Sequence, residues 1–395
     1  MKMKDKKVRL GIIGFGGQGS AYVAMLKTGL IKNAVLGAVC DINQEKLNAQ
    51  CKKFHLNVPT FTDHKQMLAS NTVDAVVVTT PHFFHPPIVI DALQAGIHAM
   101  SDKPAGVYTK QIKEMIAVAD VHPELIFALM LNQRTNKVYN KMRTLIADGK
   151  IGEIKRINWI ITDWYRPQSY YDASPWRATW KGEGGGVLFN QAPHQIDLLQ
   201  WIVGMMPCKI RAHCAFGKWH DIETEDDVTA YMEFPNGATG VFITSTADYP
   251  GTNRLEILGT KGKLVCTGGK KLQITYCKQD ERVFNKSHKI GDSPGFGAPG
   301  SKKALPYINP FSKQHVTILN NFADAVAGKA QLFVDGREGL NGVQIMDACL
   351  LSEWLQREVT LPVDDEQYFE QLQKRIQTSQ LRNAADIVLD TKGTY

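Results

Sequence analysis

The sequence predicts an α/β protein in which a doubly wound parallel sheet precedes a second α/β unit built on a large, mostly antiparallel open sheet. Three observations predict it. Short apolar runs alternate with helical patterns through the first 132 residues, a glycine-rich turn joins the first run to the first helix, and from residue 228 the pattern becomes strand, turn, strand. At 395 residues the chain exceeds what one core usually supports, so we divide it into 1–132, 133–363 and a tail at 364–395.

In the first part, Val8–Ile13, Val35–Cys40, Val73–Thr79, Ile97–Met100 and Leu125–Leu131 are rich in Val, Ile and Leu without polar alternation, as strands covered on both faces should be. Gly19–Lys27, Gln44–Phe54, Ile88–Ala95 and Lys110–Ala119 read as the helices between them, and Lys137–Ala147 as a further one. In the second part, Val228–Phe234 and Gly240–Thr246 alternate around the turn signal Asn236-Gly237, and Leu255–Leu258, Lys263–Cys266 and Leu272–Tyr276 continue the series. Residues 291–311 are rich in Gly, Pro and Ser and read as a long loop or lid; two helices follow, near His315–Ala327 and Gly339–Glu358, before a polar tail.

Composition narrows the function classes. No apolar run approaches the ~20 residues of a membrane span, so no membrane partner is expected. The formal charge of +7 is concentrated in residues 1–9 and 261–289, which reads as solvated surface, with no nucleic-acid partner. Seven cysteines without CxxC spacing suit a reducing, cytoplasmic compartment.

Gly14-Phe15-Gly16-Gly17-Gln18-Gly19 follows a buried strand and opens a helix. There the first glycine permits the tight turn, the second lets backbone approach a pyrophosphate, and the third lets helix pack on strand. Asp41 ends the second strand, where a carboxylate accepts from ribose hydroxyls. The next residues, Ile42 and Asn43, bring no cation, so NAD is expected rather than NADP. Asp102-Lys103-Pro104 places a lysine at the carboxyl end of the fifth strand, the ligand-binding edge of such a sheet, where it could stabilise a developing alkoxide. Further on, Pro193 suits the first turn of a helix. His194 in that turn would be kept neutral as a base, with Asn190 at the expected cap and Asp197 three residues on to orient the ring. His82 and His85 have HxxH spacing but no third ligand nearby, and no metal is expected.

GFGGQG, Asp41, Thr80-Pro81 with His85, Asp102-Lys103-Pro104, the Gly184–Asp197 stretch and the segment Asp335–Trp354 together resemble the Gfo/Idh/MocA oxidoreductase family, from Val8 to about Val363. The resemblance implies a Rossmann domain, and a second domain whose open sheet supports homo-oligomers, dimeric or tetrameric. It also implies small-molecule substrates that are sugars, sugar derivatives or inositol-like polyols. Lys103, His194 and Asn190 become catalytic, and Lys103, Asn190, His194 and Asp197 become the substrate contacts. Gly14, Phe15, Gly16, Gly17, Gln18, Gly19, Asp41, Ile42, Thr80, Pro81, His85, Asp102, Lys103, Pro104, Trp176 and Arg177 become the NAD contacts. Many members carry aspartate where this chain has Asn190, so its role here would be positioning. The reaction implied is hydride transfer between nicotinamide and a secondary hydroxyl. An NAD-dependent glycosidase and a non-catalytic nucleotide sensor are the alternatives on this fold, and retention of Lys103 and His194 counts against the sensor.

Overall fold

The computed structural model describes residues 7–293, 300–308, 311–384 and 387. Six strands, β1 (Val8–Ile13), β2 (Ala34–Cys40), β3 (Thr60–Phe61), β4 (Ala75–Val78), β5 (His98–Ser101) and β6 (Phe127–Leu129), form one sheet in the order β3-β2-β1-β4-β5-β6, with parallel pairing throughout. Helices α1 (Gly17–Lys27), α2 (Gln44–Lys53), α3 (His64–Ala69), α4 (His85–Gln94) and α5 (Thr109–Val121) connect them, and α6 (Lys137–Ala147) follows. Val76, Val77, Val78, Ala99 and Met100 are wholly buried, as their unbroken apolar runs require. Beyond the sequence reading lie the two-residue β3 and the short α3, too brief to show a period.

The register positions the site. Ile13 pairs with Cys40 and with Val78, and Val78 with Ser101. Gly14, Asp41, Thr79 and Asp102 therefore form one row just past the carboxyl ends of four adjacent strands.

The second sheet has nine strands in the order β14-β13-β12-β11-β7-β10-β9-β8-β15. These are β7 (Ile154–Ile161), β8 (Lys209–Phe216), β9 (Glu225–Glu233), β10 (Thr239–Ser245), β11 (Asn253–Gly259), β12 (Gly262–Thr267), β13 (Lys271–Cys277), β14 (Gly300–Pro306) and β15 (Val359–Thr360). Only β7 and β10 run parallel. Between β7 and β8 lie two single-turn helices, α7 (Gln168–Tyr171) and α8 (Val187–Asn190), and α9 (Pro193–Val203); α10 (Glu281–Ser287), α11 (Phe311–Val326) and α12 (Gly339–Leu355) come later. Helix α12 is apolar nearly all round, burying Val343, Ile345, Met346, Ala348, Leu350 and Leu351, because it packs on β8, α9 and α5 together.

Two expectations are corrected. The stretch 291–311 is not a loop throughout: Gly300–Pro306 is the edge strand β14, paired with β13, while 294–299 and 309–310 lie outside the described residues. Nor is the segment from Asp364 a featureless tail. It forms α13 (Asp365–Thr378), capped by the Asp364 side chain and burying Tyr368 and Leu372. Thr109 Oγ1 donates to Asp365 at 2.7 Å, and Lys113 reaches the same carboxylate at 2.6 Å, so α13 docks on α5.

Candidate active site

The glycine loop is built as a cradle. Gly14 has φ +95°, and a Cβ on Gly19 would meet the Gly14 carbonyl oxygen at 2.1 Å, so neither position admits a side chain. Thr79 Oγ1 donates to that carbonyl at 2.6 Å and ties β4 to the turn. A Cβ on Gly16 would meet only Lys46 Nζ, at 3.9 Å, so the loop's outer side is open. At the next strand end the Thr80 hydroxyl is buried without a partner. An open cradle at a helix N-terminus, an orphaned hydroxyl and the Asp41 carboxylate in one row fit a dinucleotide.

Asp41 is 7% exposed; its Oδ2 accepts from Phe15 N at 2.8 Å and its Oδ1 from Asn43 N at 3.0 Å. The expectation that no cation stands near it is corrected: Lys46 Nζ lies 3.1 Å from Oδ2. The first turn of α2 brings back over Asp41 a lysine that is five residues away in sequence. Ile42 is 89% exposed.

Asp102 fixes the lysine turn: its Oδ1 accepts from Lys103 N and its Oδ2 from Tyr22 Oη, both at 2.8 Å. The Lys103–Pro104 bond is cis. His85 bridges this turn to the next strand end, with Nδ1 2.8 Å from Pro104 O and Nε2 2.7 Å from Thr80 O. Pro81 caps the turn leading to α4, where the buried His82 packs edge-on against Trp176, ring centroids 5.8 Å apart. Burial, together with the charges of His85, Lys103 and Arg177, holds the His82 imidazole well below its ordinary pKa.

Lys103 Nζ donates to the backbone carbonyl of Asn190 at 2.5 Å. Burial lowers its pKa, with Asp102 among the groups opposing that. The Asn190 amide donates to Glu183, and its Oδ1 accepts from Tyr170 Oη at 3.2 Å. Arg177 Nη1 in turn donates to Tyr170 Oη at 2.7 Å. Glu183, missed in the sequence, is buried, and its other oxygen accepts from Ala178 N at 2.6 Å. Its signal was position alone: it immediately precedes the glycine triplet. Another missed acid, Glu225, accepts from Gly186 N at 2.8 Å and Leu188 N at 3.0 Å, holding the triplet; burial pushes its carboxyl up to about 8.

His194 lies in the first turn of α9, 5% exposed, and among the described residues neither ring nitrogen is hydrogen-bonded to protein. Burial first, then the charges of Lys103 and His315, hold it well below its ordinary pKa, so it is neutral. His315, on α11, was not singled out because it lies 121 residues further on. Asp197 does not orient His194. Both its oxygens are taken by Arg134, Nε at 2.8 Å and Nη2 at 2.7 Å, and Arg134 Nη1 reaches Glu338 at 2.5 Å. The pairing was hidden because Arg134 lies 63 residues upstream, and it serves to pin α9 to the turn between β6 and α6.

This arrangement, a dinucleotide cradle facing a half-buried lysine and a neutral histidine, is that of an NAD-binding oxidoreductase. Residues 8–128 match the oxidoreductase family with an NAD-binding Rossmann fold, and residues 139–265 match the GFO/IDH/MocA C-terminal domain. The chain belongs to the Gfo/Idh/MocA family. It is 24% identical over 341 residues to myo-inositol 2-dehydrogenase of Thermotoga maritima, covering 84% of this chain and 92% of that one. It is 27% identical to 1-carboxy-3-chloro-3,4-dihydroxycyclohexa-1,5-diene dehydrogenase of Comamonas testosteroni, covering 83% and 82%. The WlbA dehydrogenase from Chromobacterium violaceum, solved with NADH and UDP-GlcNAcA, superposes with a TM-score of 0.76 at 29% identity, covering 91% and 97%.

Proposed function

We propose that the protein transfers a hydride between NAD and a secondary hydroxyl of a sugar, sugar derivative or cyclic polyol. The observation that carries this is the Lys103–Asn190 contact beside a neutral His194 whose ring nitrogens have no protein partner among the described residues. Gly14–Gly19, Asp41 and Thr80 would hold NAD, which supplies the hydride acceptor when bound. Trp176 and Arg177, part-exposed and stacked at 4.7 Å, stand beside these residues, Trp176 packed on His82 and Arg177 bonded to Tyr170. Lys103, cationic, stabilises the oxyanion as the hydroxyl proton leaves for His194. Asn190 positions the lysine by joining Lys103, Tyr170 and Glu183. The relatives that act on inositol, and the one solved with a nucleotide sugar acid, support a polyhydroxylated substrate.

The same reading assigns residues 1–132 to cofactor binding and 133–363 to the substrate. It assembles the chain as a homo-oligomer through the open face of the nine-stranded sheet, where Ile160, Tyr231 and Leu258 are each about 40% exposed. Free thiols at all seven cysteines suit the cytoplasm. The test is a panel of inositols, aldoses, sugar acids and sugar nucleotides with NAD, read at the NADH absorbance band. At least one member should yield NADH; a panel with no turnover on NAD-saturated protein counts against the proposal. Light scattering reads the oligomeric state separately, and a monomer would contradict the assembly.

A further inference from the structure

We infer that the substrate carries an anionic oxygen group, a carboxylate or a phosphate, received by Arg166, Arg177 and the Tyr170 hydroxyl. The inference deepens the oxidoreductase reading and rests on it for where the reacting carbon lies. Arg166 is 7% exposed, yet its Nη1 donates only to the neutral carbonyls of Trp164 and Tyr165, each at 3.0 Å, and its Nε is buried with no acceptor. The Nε of Arg177 is likewise buried and without an acceptor. Among the described residues no carboxylate lies within 4.0 Å of either guanidinium. Arg134 shows what this chain does with a buried arginine that is purely structural: two carboxylates, Asp197 and Glu338, pair with it.

Both guanidiniums flank one side chain. The Tyr170 ring centroid is 4.4 Å from Arg177 Cζ and 5.2 Å from Arg166 Cζ, and its hydroxyl bonds to Arg177 and to the Asn190 side chain beside Lys103. The carboxylate whose field reaches Arg177 and Lys103 is Glu183, already engaged by Ala178 N and the Asn190 amide. With Asp102 also beside Lys103, three cations thus face two buried carboxylates, and a buried charge left without a counter-ion is costly. A guanidinium fork matches the paired oxygens of a carboxylate or phosphate, whereas a neutral polyol would leave the excess charge uncompensated. The dinucleotide phosphates are not that counter-ion, because their cradle at Gly14–Gly19 follows β1, two strands along the sheet edge from Lys103 after β5.

The test uses the full chain saturated with NADH, titrated by calorimetry with D-glucuronate, D-glucose 6-phosphate and D-glucose. At least one anion should bind about tenfold more tightly than glucose, and whichever it is decides between carboxylate and phosphate. Raising salt from about 50 mM to about 500 mM should weaken the anion and leave glucose unchanged. Arg166→Gln should abolish the preference without altering NADH affinity. Glucose binding as tightly as both anions, or a preference that survives Arg166→Gln, overturns the inference. If Arg166→Gln does not fold, the salt series on the unaltered protein decides alone, and a salt-independent preference overturns the inference. NADH binding is measured first. Its failure would strike the oxidoreductase reading, while the anion preference would still be read on the free protein.

Discussion

Lys103 Nζ, at the end of a strand in the first sheet, lies 2.5 Å from the backbone carbonyl of Asn190, 87 residues further along and in the second half of the chain. The active site therefore exists only where the halves meet, and Asn190 is its hub. Its backbone oxygen holds the lysine, its side-chain oxygen holds Tyr170, and its amide is spent on Glu183.

Asn190→Asp tests where the negative charge of the site resides. From sequence, an aspartate here restores the commoner family arrangement and is mild. In the structure it would set a second, half-buried carboxylate against Glu183, and adjacent like charges force one to take a proton. We expect kcat/KM to fall about tenfold, or ~1.4 kcal/mol. Adding Glu183→Gln should recover most of it. A double variant no better than Asn190→Asp alone would refute the exchange of roles.

The pH dependence of hydroxyl oxidation follows from two lowered pKa values. His194 must be neutral to accept the proton, and burial with the Lys103 and His315 charges holds it well below 6.5. The acid limb of the kcat/KM profile should therefore lie below that value. Lys103 must be charged, and burial lowers its pKa from 10.5, so the alkaline limb should fall below that. Lys103→Met should remove the alkaline limb and move the acid limb upward, because a cation facing His194 is gone. An acid limb at or above 6.5 in the unaltered enzyme is the adverse result.

Cofactor choice rests on Asp41, but less absolutely than its sequence neighbours suggest, because Lys46 sits 3.1 Å from its carboxylate. NAD should still bind about tenfold or more tightly than NADP, since a 2′-phosphate would meet a buried carboxylate. Asp41→Ala should collapse the gap by leaving Lys46 beside the added phosphate, whereas Lys46→Ala should widen it. Calorimetric affinities that respond alike to both substitutions would contradict this.

The Arg134–Asp197–Glu338 cluster predicts a stability effect where the sequence suggested a catalytic one. Arg134→Ala leaves Asp197 as an uncompensated buried charge and should cost about 3–5 kcal/mol in urea unfolding. Asp197→Asn should lower the unfolding midpoint while leaving the pH limbs of kcat/KM in place. Unchanged stability with shifted limbs would return Asp197 to the histidine.

What was legible in the sequence was what backbone demands alone specify. The glycine cradle, Asp41 and the Lys103 turn each follow from a strand ending at a known place, and three of the four residues of that row, Gly14, Asp41 and Asp102, could be named without knowing any contact. Partners brought in by long-range folding were hidden: Arg134 for Asp197, Lys46 for Asp41, His315 beside His194. Glu183 is adjacent to a recognised motif, yet its role depends on how the loop after Trp180 doubles back, and no local period encodes that. Strand β14 carries no strand pattern because its residues are largely exposed and, among the described residues, it pairs with β13 alone. Helix α13 carries a weak signal because few apolar residues, Tyr368, Leu372 and Ile376, pack on the core from a mostly polar helix.

The most direct test of the account is NADH formation by Lys103→Met and His194→Ala with a substrate verified on the unaltered enzyme, alongside their NADH affinities. Lys103→Met should bind NADH normally, since the glycine loop carries the phosphates, and lose ~10²–10³-fold in kcat with its oxyanion partner. His194→Ala should lose ~10²–10⁴-fold. If both variants turned over at the unaltered rate, the assignment of Lys103 and His194 to the chemistry would be wrong.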